Sequence, residues 1–193
     1  MKFLVFIDTI FISLLLLLIS NANYSLYAQA ISPPLKGIEK LVQEQGDLFI
    51  AVDYPKPGQD KFCLEENSFS NQIQFKGDSA FLNFINYTEL FCETYVLRTQ
   101  YIYHFNLKDI DSQTIRLVEK RYDYGNGTLK EGPASWFEMQ LFTRGNKPYI
   151  RKKELETRQT EFTDTVSVLF RSKEGAKEAL ALFKTAISEI TRL

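Results

Sequence analysis

The chain has 193 residues, enough for one ordinary domain with a sizeable core, and a formal net charge of −1. Near-neutrality excludes the concentrated basic face that nucleic acid requires, and any charge excess that would steer a strongly charged partner. Aromatic residues make up 14% of the chain, with 16 Phe and 10 Tyr, an enrichment that favours strands.

Met1 to Ala30 reads as an export signal. Lys2 supplies a minimal positive start, Ile10 to Ile19 is nearly pure Leu, Ile and Phe, and a polar segment ends in Ala28-Gln29-Ala30, which fits the A-x-A cleavage pattern. The other reading is a retained anchor over Thr9 to Tyr27, but Ser20, Asn21, Asn23 and Ser25 make its second half too polar for hydrocarbon. The first cysteine is Cys63, so a lipid-modified N-terminal Cys is not expected. No later window is long and apolar enough to span a membrane. Residues 31–193 are therefore expected to form a single exported domain, periplasmic or extracellular.

Ser32-Pro33-Pro34 signals a helix start. Leu35, Ile38, Leu41 and Val42 recur at helical spacing until Gly46-Asp47. Leu48 to Tyr54 reads as a strand stopped by Pro55-Lys56-Pro57-Gly58. Lys61 to Glu65, Gln72 to Lys76 and Ala80 to Ile85 read as three short strands, with Asn67-Ser68 and Gly77-Asp78 as turns. Asn86 to Thr94 fits a loop, a helical turn or the start of the next strand.

From Tyr95 to Leu107 apolar bulk and polar groups alternate at a period of two, the pattern of a half-buried strand. Such length predicts a bend or bulge near Arg98 to Gln100. Asp109 to Ser112 is a turn, and Thr114 to Tyr122 returns as a strand. Gly125-Asn126-Gly127 suits a hairpin loop. Trp136 to Thr143, Tyr149 to Thr157 and Phe162 to Phe170 complete the strands, with Phe162, Val166, Val168 and Phe170 on one face of the last. Ser172 caps a helix over 172–192, whose stripe of Ala176, Ala179, Leu180, Phe183, Ala186, Ile187 and Ile190 must dock on the sheet. Burying its four large side chains contributes about 6 to 12 kcal/mol gross.

Cys63 and Cys92 are the two cysteines. In an exported protein they either form a disulfide, worth about 3.6 kcal/mol for a loop of about thirty residues, or stay as buried thiols. His104, the one histidine, lies on the polar side of its strand, where a solvated imidazole is the ordinary reading and a catalytic or metal role the other. One His and two Cys do not make a structural zinc site without carboxylates. Asp109 and Asp111 suit a turn better than a calcium loop, which needs more oxygen ligands and a glycine at the bend. Arg144, Lys147, Arg151, Lys152 and Lys153, with Arg158, form a basic stretch. It is either a surface for anionic groups or a solvated hairpin, because Glu154, Glu156 and Glu161 interleave it. Asn86-Tyr-Thr88 and Asn126-Gly-Thr128 match the glycosylation acceptor pattern. The G-x-S-x-G, H-E-x-x-H, P-loop and dinucleotide fingerprints are missing, so no enzymatic activity and no cofactor are expected.

Tyr101-Ile-Tyr-His-Phe-Asn-Leu-Lys-Asp-Ile-Asp111, a strand leading into an L-x-D-I turn, resembles bacterial members of the pleckstrin-homology-like superfold. Val166 to Leu180, a strand, a cap and a helix, is similar to the end of that fold. The resemblance covers residues 48–193. It lacks the terminal-helix tryptophan of many eukaryotic members; Phe183 stands on the comparable face. It implies an α+β, mostly antiparallel β architecture. Seven or more strands would form a partly open barrel, with a short N-terminal helix and a C-terminal amphipathic helix. A lipocalin-like barrel or a helix-grip fold has the same element order. Such folds hold lipids, peptides or proteins. The expected function is an exported, non-enzymatic binding domain for a protein segment, a lipid or another apolar molecule. The alternatives are an envelope structural component and a hydrolase with an unrecognised site, which would need a concave cluster that includes His104 or paired carboxylates.

Overall fold

The computed structural model describes residues 32–55, 62–91 and 95–192, with only the backbone of residue 62. The export signal, Lys56 to Lys61 and Cys92 lie outside them. Among the described residues two α-helices flank ten strands, in the order α1 (Pro33–Gln45), β1 (Asp47–Pro55), β2 (Phe62–Lys76), β3 (Ser79–Leu90), β4 (Tyr95–Asn106), β5 (Arg116–Arg121), β6 (Thr128–Glu131), β7 (Ser135–Phe142), β8 (Ile150–Glu154), β9 (Thr160–Thr163), β10 (Thr165–Phe170) and α2 (Lys173–Thr191). The architecture is α+β and mostly antiparallel. A seven-stranded sheet has the order β6-β1-β2-β3-β4-β8-β9, and a three-stranded sheet the order β10-β7-β5. Neither sheet is closed on itself. No helix of the described residues is long and apolar enough to cross a membrane.

Register assigns each large-sheet residue to a face. Ile50 lies opposite Asn67, Asn67 opposite Thr88, and Thr88 opposite Leu97. Stepping by two, one face carries Leu48, Ile50 and Val52 on β1, Phe69, Ile73 and Phe75 on β2, Ala80 and Leu82 on β3, and Phe105 on β4. Most of these are buried, so this is the inner face. Leu169 of β10 joins Leu48, Ile50 and Val52, with Phe69 and Trp136 packed against them. On the small sheet, Val166 pairs with Leu141 and Val168 with Met139, and all four are buried.

Helix α2 lies against β5, β7, β10 and α1. Its Ala176, Ala179, Phe183, Ala186 and Ile187 are buried, and the Phe183 ring meets Phe75 edge-on at 6.2 Å between centroids. Leu180 and Ile190 of the predicted stripe are only half-buried. Ser172 Oγ accepts the Gly175 N–H at 3.1 Å, closing the first turn of the helix.

Five expectations need correction. Gly125-Asn126-Gly127 closes no hairpin, because β5 before it and β6 after it belong to different sheets. Asn67-Ser68 is not a turn, since β2 runs unbroken for 15 residues through it; the amide of Asn67 is bonded to side chains and has no need of a turn. The segment from Asn86 continues β3 as far as Leu90. The β3–β4 register passes Arg98 to Gln100 without a shift, so no bulge interrupts β4 there. Phe162 does not share a face or a sheet with Val166: the chain leaves the large sheet between Thr163 and Thr165, and Phe162 is 63% exposed.

Candidate functional site: the cleft between the sheets

The inner face of the large sheet is apolar only in part. Toward the far ends of β2, β3 and β4 it turns polar and aromatic: Glu65, Asn67, Phe84, Asn86, Thr88, Thr99, Tyr101 and Tyr103. Lys152 of β8 pairs with Tyr103, and Glu161 of β9 with Lys152, so both project to the same face. The small sheet answers with Glu138 of β7 and Leu169 of β10, which pair, and with Trp136 and Ser167 two residues away on the same face. A cleft of about 340 Å³ opens between the two walls, lined among others by Phe84, Tyr103, Glu138, Lys152, Glu161 and Ser167. That is within the range of small-ligand sites.

The outer part of the cleft is charged. Lys152 Nζ donates to Glu161 Oε1 at 2.7 Å and sits 4.4 Å from the Tyr101 ring centroid. The Glu161 contact holds the Lys152 ammonium above its ordinary pKa, and burial raises that of Tyr103. Glu138 meets Lys120 at 3.9 Å.

Farther along β2 and β3, a polar network links the sheets. Tyr122, just past β5, donates its hydroxyl to Glu65 Oε1. Asn67 Nδ2 donates to Glu65 Oε1 and to Tyr122 Oη, both at 2.7 Å, and Thr88 Oγ1 donates to Asn67 Oδ1 at 2.7 Å. Burial and the adjacent carboxylate push the Tyr122 phenol well up.

Between these two zones stand Asn86 and Trp136. The Trp136 indole stacks on Phe69, ring centroids 6.1 Å apart. Phe69 is in turn the cross-strand partner of Asn86. Asn86 Oδ1 and Trp136 Nε1 are buried and have no hydrogen-bond partner among the described residues.

The residues singled out from sequence are distributed differently. His104 is exposed on the outer face, stacked on Phe81 at 4.5 Å, outside the cleft. Strand alternation divides the basic stretch: Lys152 points into the cleft, whereas its neighbours Arg151 and Lys153 belong to the opposite face. Arg144 Nε donates to the Lys108 carbonyl at 3.0 Å, and Lys147 Nζ lies 6.0 Å from the Tyr149 ring centroid. Asp109 ends a short 3-10 turn, and Asp111 Oδ1 accepts the Gln113 N–H. Among the described residues, no group of three or more His, Cys, Asp or Glu could hold a metal ion. Cys63 is buried on the inner face opposite Tyr54, while its proposed partner Cys92 lies outside the described residues. Asn86 faces inward, unlike an ordinary glycan acceptor, whereas Asn126 is exposed.

Trp136, Glu138 and the Glu65–Asn67–Tyr122 group carry no motif, and Asn86 only the glycosylation triplet. The available signal was weak: a lone tryptophan in a strand, and strands whose inward positions alternate Asn with Phe. Compared with known protein families, curated proteins and solved structures, the chain matches none of them.

Proposed function

We propose that the protein is an exported, non-enzymatic binding domain that holds its ligand between its two sheets. The observation that carries this is the cleft, whose walls are aromatic and polar where a plain sandwich core would be apolar. Its lining favours an amphipathic occupant over a wholly apolar one, because Glu138, Lys152, Glu161 and Ser167 share it with Phe84 and Tyr103. The consecutive antiparallel strands β1 to β4, the β5-β7-β10 sheet and the terminal helix support a pleckstrin-homology-like reading, with β6, β8 and β9 as additions. The position of His104 outside the cleft favours binding over hydrolysis. The A-x-A signal at Ala28 to Ala30 supports export. The test is a thermal-shift screen with extended peptides and lysophospholipids against the wild type and a Ser167→Trp variant that fills the cleft. A ligand that raises Tm in the wild type and not in the variant supports the reading. Equal shifts in both would place binding elsewhere.

A second reading, docking on a larger envelope assembly, is favoured by the far end of the β3–β4 hairpin. There Phe91, Tyr95 and Val96 are each about half exposed and Leu97 is 44% exposed. Association in sizing experiments that is lost on Phe91→Ser and Val96→Ser would support it. A monodisperse monomer that fails to bind envelope fractions would rule it out.

A further inference from the structure

We infer that the outer face of the large sheet is a docking surface for an anionic bilayer; this is independent of the cleft and its ligand. The register builds the face in rows that cross the strands. One row from β3 to β9 reads Phe81, His104, Arg151, Phe162. The next places Lys153 of β8 beside Ile102 of β4. Lys76 stands toward one end of the face, and Arg98, opposite Tyr87, toward the other. Over residues 68–76 of β2, 79–87 of β3 and 98–106 of β4, and across β8 and β9, the outward positions hold these four Lys and Arg residues and no Asp or Glu. Outward acids begin only at Asp47, opposite Ser70, and at the Glu66–Glu89 pair beyond Arg98. Among the described residues none of the four cations is ion-paired, whereas inward-facing Lys152 is held by Glu161. A chain of net charge −1 has no overall cationic excess, so the asymmetry is made by the fold.

Apolar side chains stand among these cations and select the partner. Phe162 is 63% and Phe81 38% exposed, and Ile85, Tyr87 and Ile102 are half-buried. A dissolved polyanion would neutralise the cations and leave these side chains wet. A bilayer surface accommodates both. Anionic headgroups attract Lys and Arg, while aromatic and aliphatic groups settle at the boundary between headgroups and acyl chains. Phe81 and Phe162 lie three strands apart, about 14 Å at the usual strand spacing. That span suits an extended surface better than one small anion.

Protein recovered from its own compartment should sediment with vesicles of phosphatidylglycerol and phosphatidylcholine in equal parts, and not with phosphatidylcholine alone. The binding should be largely lost at about 1 M salt, where charges are screened beyond about 3 Å. Arg151→Gln combined with Lys153→Gln should weaken it about 25-fold at unchanged Tm, about fivefold for each cation or about 1 kcal/mol apiece. Phe162→Ser should weaken it as well. Lys177→Gln combined with Lys184→Gln removes the same charge from exposed positions of α2 and should leave binding within about twofold. Equal sedimentation with neutral vesicles, or the same loss from the α2 pair, would overturn the surface. So would no sedimentation with the anionic vesicles; binding of dextran sulfate in that case would assign the cations to a dissolved polyanion instead.

Discussion

Asn71 joins three elements with one side chain. It is 1% exposed, donates Nδ2 to the carbonyls of Gly46 (2.9 Å) and Leu169 (3.3 Å), and accepts the Leu169 N–H at 2.7 Å. It thus fastens β2 to the end of α1 and to β10 of the other sheet. Replacing it with Leu keeps the volume but orphans the N–H and the carbonyl of Leu169, while the Gly46 carbonyl keeps the backbone N–H of residue 71 at 3.1 Å. At about 1 to 3 kcal/mol per unsatisfied group, softened by relaxation, Asn71→Leu should cost about 3 kcal/mol in urea unfolding. A loss under about 0.5 kcal/mol would mean that the tie is ornamental. Asp78 offers a pH signature. Its contact with Lys108 Nζ at 2.7 Å depresses its carboxyl below the ordinary value. A depressed folded pKa gives stability that is present above the unfolded value of about 3.9 and lost as pH falls through the folded one. Asp78→Asn should therefore flatten the acid limb of the stability curve below about pH 4, by a small amount because the pair is partly solvated. An unchanged limb would show the pair to be inert.

At the scale of elements, β2 and β3 form one of the two longest ladders, and its register bears on the cysteines. Glu65 pairs with Leu90, and Phe91 N donates to the Leu64 carbonyl at 3.0 Å. Cys63, next to Leu64 in that ladder, is buried, and the chain has one other cysteine, Cys92; export favours a disulfide between the two. We therefore predict no free thiol in the native protein by Ellman titration, and a Tm lowered by reductant. Two reactive thiols in the unreduced, denatured chain would contradict the pairing.

The same ladder shows what the sequence could and could not reveal. Helices α1 and α2 were legible because apolar residues recur at helical spacing, behind Ser32-Pro33-Pro34 and before Gly46 in the first and behind the Ser172 cap in the second. Strand β4 was legible because its alternation is clean. Strand β2 was read as pieces because Glu65, Asn67 and Asn71 put polar atoms on the inward face, beside outward Glu66, Ser68 and Ser70. With both faces polar, period-two alternation vanishes. The cleft was hidden for the same reason, since its residues come from β3, β4, β7, β8, β9 and β10 and meet only through the fold. The switch of the chain between sheets at Asp164 has no glycine or proline to announce it.

Taken whole, the molecule divides its interior into two zones. One is a dry core, where Phe75, Phe105, Phe170, Phe183 and Ile187 are almost fully buried. The other is the aromatic and polar cleft between the sheets. Gly132, with φ of 95°, lets the chain turn from β6 toward β7 against the Phe49 carbonyl, where a Cβ would collide. The packed zone supplies stability, and the cleft gathers charged, polar and aromatic side chains from both sheets. The most direct measurement is native mass spectrometry of the protein recovered without denaturation from its own compartment, wild type beside Ser167→Trp. The account predicts a discrete bound mass on the wild type that is missing from the variant. Bare protein in both cases, or the same adduct on both, would contradict it.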